Sequence, residues 1–119
     1  MKSYKKTFGS MNENIVSSYL KSNNYTIIET NYRHNLGEID IIAKDKLNEC
    51  ICFIEVKSKF IDNFDTYPPV TKYQLNRIKR SAFVYLKKFF PNENARIDLI
   101  KVVNNGTNSS IDHIKDITW

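Results

Sequence analysis

Hydrophobic and polar positions change period along the chain, and each change marks an element. Over residues 10–22, Met11, Ile15, Val16, Tyr19 and Leu20 recur at helical spacing and form one apolar stripe. Ser10 is placed to cap this helix. Asn23-Asn24 ends it, because Asn tolerates the left-handed conformation used at helix C-termini. Residues 25–33, rich in Tyr, Thr and Ile, predict a strand, and residues 34–37 a turn. Residues 37–59 then alternate with period two in two arms joined by a short polar connection, 44–49, which is the pattern of a β-hairpin. In the first arm Ile39, Ile41 and Ala43 share one face, and Glu38 and Asp40 point to the other. In the second arm Cys52, Ile54 and Val56 share one face, and Phe53, Glu55 and Lys57 the other.

Residues 60–70 hold two Asp, three aromatics and Pro68-Pro69 and predict a loop. Residues 71–90 predict the longest helix, with Leu75, Ile78, Ala82, Tyr85, Leu86 and Phe89 on its apolar stripe and Pro91 as its stop. Residues 95–103 are almost continuously apolar apart from Arg96, Asp98 and Lys101. That suits a strand buried on both faces, paired in parallel and reached by a right-handed helical crossover. Residues 104–106 signal a turn, and 111–119 a final strand. The expected order is helix, three antiparallel strands, helix, two strands, in a single domain over 1–119 without internal repeat or linker.

Composition narrows the class. A chain of 119 residues, 41% hydrophobic and 26% charged, supports one domain with a modest core. It has no apolar run of membrane-spanning length and no apolar signal core at its start, so we expect a cytoplasmic protein with no membrane partner. A net charge of +5 favours polyanions such as nucleic acid. Cys50 and Cys52 lie two apart on a strand and point the same way. A C-x-C pair lacks the four ligands of a zinc site, so they read as buried, reduced thiols.

The chemistry lies in the hairpin. A turn of about four residues would set Asp40 opposite Glu55, and Glu38 opposite Lys57, with Cβ atoms about 5 Å apart. Two carboxylates that close do not both ionise comfortably unless a cation joins them, and a divalent metal would turn the repulsion into a binding site. A plain salt-bridge ladder would account for Glu38 with Lys57 but badly for Asp40 beside Glu55. Glu13, three residues after Ser10, completes a capping box. Arg33, near the hairpin mouth, would hold a phosphate or pair with Glu38; His34 reads as a solvated turn residue. Lys72, Arg77, Lys79, Arg80, Lys87 and Lys88 make the outer face of the long helix either a solvated surface or a row of phosphate contacts.

The element order, with Asp40 on the second strand and Glu55-Val56-Lys57 on the third, resembles the core of the PD-(D/E)XK nucleases. A longer set covers nearly the whole chain: Gly9, Glu13, Tyr19-Leu20, Asn31, Arg33, residues 37–43, residues 53–57 and Arg96-Ile97-Asp98. It resembles the YraN-like bacterial family, which is regarded as a family of endonucleases similar in fold to archaeal Holliday-junction resolvases. The resemblance implies an α/β, restriction-endonuclease-like αβββαβ(β) core with a mixed central sheet flanked by helices. It implies a metal-dependent endonuclease that hydrolyses DNA phosphodiester bonds, with branched or junction DNA as one substrate class. Asp40, Glu55 and Lys57 match the motif and would carry catalysis. Asp40, Glu55 and the Val56 carbonyl would hold Mg²⁺ or Mn²⁺, cations that take oxygen ligands.

Glu13 matches an acidic residue of the resolvases' first helix that joins the metal site, which gives it a second reading beside capping. Arg33, Lys59, Lys72, Arg77 and Arg80 would contact nucleic acid. Symmetric junction resolution needs two active sites and so implies a homodimer. The chain also departs from the family pattern. Asp62, Asp65 and Pro68-Pro69 stand in the loop after Lys59 where glycines are expected, and Val16 and Asn24 where Ala and Gly are usual. An alternative is therefore a non-catalytic module on the same fold that binds nucleic acid or a partner.

Overall fold

The computed structural model describes residues 14–60, 70–104 and 108–117. Residues 14–22 are helical (α1), and Val16 and Leu20 on the expected stripe are fully buried. The Asn pair ends the helix as expected: the Asn23 N–H donates to the Leu20 carbonyl at 3.0 Å, and Asn24 turns the chain at φ 69°. The Ser10–Glu13 capping box and the 61–69 part of the loop lie outside the described residues.

Three strands follow as an antiparallel meander: β1 (Tyr25–His34), β2 (Gly37–Asp45) and β3 (Cys50–Phe60). Helix α2 (Lys72–Phe89) then leads to β4 (Asn94–Asn104), which pairs parallel to β3 from Cys50↔Asn94 to Phe60↔Asn104. Strand β5 (Ser109–Ile114) closes the sheet antiparallel to β4. The order is β1-β2-β3-β4-β5, so the chain is a mixed α/β fold with a five-stranded mixed sheet and, among the described residues, two helices. Strand β5 starts and stops earlier than the alternation over 111–119 suggests. Asp116 takes φ 58°, and beyond it the Ile117 N–H bonds to the Ile97 carbonyl at 2.8 Å. That bond keeps the chain against β4 beyond the end of the strand.

Helix α2 begins at a capping box written in the sequence as Thr-x-x-Gln. The Gln74 N–H donates to Thr71 Oγ1, and the Thr71 N–H to Gln74 Oε1, each at 3.0 Å. These two bonds satisfy donors that a helix start would otherwise leave orphaned. Its end is the Phe90 N–H donated to the Leu86 carbonyl at 2.8 Å, just before Pro91. No described helix is long and apolar enough to cross a membrane.

The sheet carries an apolar layer on each face. One holds Val16 and Leu20 of α1 with Ile41, Ala43, Cys52, Ile54, Ile100 and Val102. The other holds Ile78, Ala82 and Tyr85 of α2 with Ile42, Ile51, Phe53 and Ile97. Strict alternation would group Ile39 with Ile41, but Ile39 packs in the α2 layer. Its partner Tyr32 lies in the irregular half of β1, where the register shifts between Ile27 and Glu29 and Asn31 sits at φ 52°. Such bulges add local twist and re-aim side chains. Phe89, expected on the buried stripe, is half exposed at the helix end, with its ring on Tyr85. Cys50 and Cys52 are free, buried thiols with sulfurs 3.9 Å apart.

Candidate functional site

The hairpin loop has four residues, because Asp45 pairs with Cys50. From there the register runs to Ile41↔Ile54, and carried one step further it sets Asp40 across from Glu55. At that point a side chain replaces the main-chain ladder: the Val56 N–H donates to Asp40 Oδ2 at 2.8 Å. Burial drives the Asp40 pKa up, and the neighbouring Glu55 carboxyl drives it further. The Val56 N–H opposes both, and the outcome is about 7, far above its ordinary 3.8. The Glu55 carboxyl is thus a close neighbour of Asp40 across the two strands. They come from adjacent strands just beyond the last paired residues, Ile41 and Ile54, which brings the two acids side by side.

Lys57 is two residues along β3 on the same face, and its Nζ lies 3.4 Å from Glu55 Oε2, with both side chains largely buried. This corrects the expectation that Glu38 holds Lys57. Glu38 faces Arg33 instead at 3.9 Å, both well exposed. Arg33 and Glu38 are directly paired across β1 and β2, and a lysine partnered along its own strand has no need of a second acid. Among the described residues no group of three or more His, Cys, Asp and Glu is arranged to hold a metal. Glu13 lies outside the described residues, as does the side chain of Lys59. The donors present, two carboxylates and the adjacent Val56 carbonyl, are all oxygen, the set that hard divalent cations take. With Lys57 beside Glu55 and the Val56 N–H on Asp40, the buried carboxyl oxygens of the pair fit such a cation.

The N-terminal end of α2 borders this pair. Glu38, Glu55, Tyr73, Gln74 and Arg77 line one cleft of about 480 Å³. Arg77 is fixed there, its Nε donating to the Leu36 carbonyl at 3.0 Å. Gly37 makes room for it. At φ +149° and with Arg77 Nε only 3.3 Å from where a Cβ would stand, this turn accepts little but glycine. Lys72 and Arg80 are exposed on the same helix.

A second cluster, missed in the sequence, lies on the α1 face. Asp98 is fully buried on β4. It accepts the Arg96 Nε at 2.9 Å and the Asp116 N–H at 3.0 Å, and it lies 2.7 Å from His113 Nε2. Tyr19 Oη lies 3.0 Å from His113 Nδ1. Arg96 also donates to Asp45 at 2.9 Å and to the Tyr25 hydroxyl at 2.8 Å. Burial pushes both Asp45 and Asp98 up, but hydrogen bonds overcome it: Asn48 and Arg96 hold Asp45 at about 2, and His113, Arg96 and the Asp116 N–H lower Asp98. The network ties α1, β1, β2, β4 and β5 together, and every acid in it is matched by a donor. Its signal was present in the sequence: Arg96 and Asp98, two apart in a strand buried on both faces, must be paired to be tolerated there.

Similarity to known proteins supplies the chain's family. Residues 12–102 match the model of the uncharacterised protein family UPF0102. A UPF0102 protein of Clostridium beijerinckii is 38% identical over 120 residues, covering 98% of this chain and 96% of the relative. One from Clostridium kluyveri is 40% identical, covering 98% and 97%. Another, from Clostridium acetobutylicum, is 39% identical over 90% and 88%. The Asp40, Glu55 and Lys57 site and most of the buried network fall inside the matched span, and the chain belongs to the UPF0102 family.

Proposed function

We propose that this chain is a metal-dependent endonuclease that hydrolyses DNA phosphodiester bonds on a restriction-endonuclease-like core. The observation that carries the reading is the Asp40–Glu55 pair, two carboxyls forced together on adjacent strands with Asp40 still protonating near pH 7. A salt-bridge ladder does not produce that shift, since it would leave each acid with a base. Asp40, Glu55 and the Val56 carbonyl would hold Mg²⁺ or Mn²⁺, with Glu13 as a further acid. When bound, such a cation supplies charge neutralisation at the phosphate and activation of a water.

The protein's own groups do the rest. Lys57, held by Glu55 at 3.4 Å, keeps an ammonium beside the reacting phosphate, where it orients the attacking water or offsets charge that develops in the transition state. Arg77, anchored on the Leu36 carbonyl, puts a second cation at the cleft. Lys72 and Arg80 hold the backbone further along without reading sequence.

The test is cleavage of a labelled panel of four-way, flapped, single-stranded and linear duplex DNA, with Mg²⁺, Mn²⁺ or chelator, on wild type, Asp40→Asn and Lys57→Met. We expect metal-dependent cutting that both variants lose while DNA affinity stays or rises. Binding without cutting in any metal would overturn the nuclease reading in favour of a non-catalytic binding module.

A further inference from the structure

Helix α2 carries six basic residues, Lys72, Arg77, Lys79, Arg80, Lys87 and Lys88, and no acidic one. A helix face that only needs solvation is ordinarily laced with opposite charges three or four residues apart. The absence of acid costs this helix such pairs. Lys72 in its first turn also opposes the helix dipole.

Large aromatic rings stand among these cations. Tyr73 is 70% exposed, Phe83 62% and Phe89 50%. Each has a cation over its ring: Arg77 at 5.7 Å from the Tyr73 centroid, Lys87 at 5.2 Å from Phe83 and Lys88 at 5.3 Å from Phe89. The opposite face of the helix is already used, with Ile78, Ala82 and Tyr85 buried in the sheet's core layer; Phe89 packs on Tyr85 at the end of that face, which leaves Tyr73 and Phe83 as the rings on the outer side.

We propose that the exposed face of α2 is a stacking track for an unpaired strand of nucleic acid that leads into the Asp40–Glu55 cleft. The proposal rests on the nuclease reading and names the form of its substrate. A duplex offers the outside of a protein its phosphates, which cations suffice to hold. Exposed rings between the cations suit bases that are free to stack, and a cation over each ring is ready to meet the neighbouring phosphate. Tyr73 and Phe83 are ten residues apart, about 15 Å along the axis, or about four stacked nucleotides at roughly 3.4 Å each. Tyr73 itself lines the cleft with Glu55, so the track ends at that carboxyl. A second copy of the chain is a poorer occupant, because this face would meet its own charge.

The experiment is fluorescence anisotropy of a labelled oligothymidine and of a hairpin duplex of equal charge, in chelator. It is run on the full chain and on Tyr73→Ala, Phe83→Ala and Arg77→Gln, with unfolding curves confirming that each folds and sedimentation reporting its mass. We expect each aromatic variant to lose about ten-fold in single-strand affinity, with duplex affinity changed less than two-fold and the salt slope unchanged. Arg77→Gln should lower the salt slope on both ligands. Equal losses on both ligands, no loss on either, or a dimer that Phe83→Ala dissociates would each overturn the track. The same proteins on the cleavage panel separate the two ideas. Aromatic-dependent binding without cutting retains the track and removes the nuclease, whereas cutting that ignores Tyr73 and Phe83 does the reverse.

Discussion

Replacing Asp40 by Asn removes one charge from the Asp40–Glu55 pair and leaves a carbonyl oxygen for the Val56 N–H, which donates to Asp40 at 2.8 Å in the native protein. The expected result is a more stable protein. In the folded state the Asp40 carboxyl titrates at about 7 rather than 3.8. A raised carboxyl pKa means that the folded state binds the proton more tightly than the unfolded one. The associated stability is complete below about pH 4 and is lost as pH rises through about 7. At about 1.36 kcal/mol per unit, the full loss is about 4 kcal/mol. Solvent reaching the edge of the pair reduces it, so we expect Asp40→Asn to exceed wild type by about 2–3 kcal/mol at pH 8. The two should converge near pH 4, where Asp40 is neutral.

The assay is urea denaturation of both proteins in chelator from pH 4 to pH 8. Added Mg²⁺ or Mn²⁺ should then restore wild-type stability by mass action and leave Asp40→Asn unmoved. A variant that is less stable than wild type at pH 8, or a difference that stays flat across the range, would refute the reasoning that burial and the Glu55 carboxyl together disfavour the Asp40 charge.

Arg96→Leu should destabilise by about 3–5 kcal/mol in the same denaturation assay, because it leaves Asp45 and Asp98 buried without their cation. These two acids are depressed in the folded state, so their contribution is present above about pH 4 and fades as pH falls, through about 2 for Asp45. Circular dichroism from pH 5 to pH 1.5 should show wild type unfolding on that limb and Arg96→Leu already weakened above it. Gly37→Ala should cost about 1–3 kcal/mol for its positive φ and displace Arg77, read as a lower salt slope in DNA binding with cooperative unfolding retained. Thr71→Ala should cost about 1 kcal/mol by loss of the cap on α2, measured as a shift in urea midpoint.

The acid pair was legible because parity and loop length fix a hairpin's register: period-two arms and a four-residue connection leave Asp40 only one neighbour of its kind. Parallel pairing of β4 was legible because Ile97, Leu99, Ile100 and Val102 cover both faces of one strand. The partner of Lys57 was not legible, since an acid across the pair and an acid two residues along the strand are equally near in sequence terms. Where β2 stops following β3 decides between them. The network around Asp98 gathers Tyr19, Tyr25, Asp45, Arg96 and His113, residues brought together only by the order of the sheet. Ile39 was misassigned because a bulge in the neighbouring strand does not show in its own alternation.

The side-chain bond from Asp40 to the Val56 N–H also marks a change in the sheet. The main-chain pairing of β2 with β3 runs only from Asp45↔Cys50 to Ile41↔Ile54, whereas β3 stays paired with β4 along its whole length. The sheet is thus two ribbons zipped at one end and parted at the other, with the acids seated in the crotch between them. The Asp40–Val56 bond is the clasp of that opening, a side chain doing across the gap what the main chain does below it.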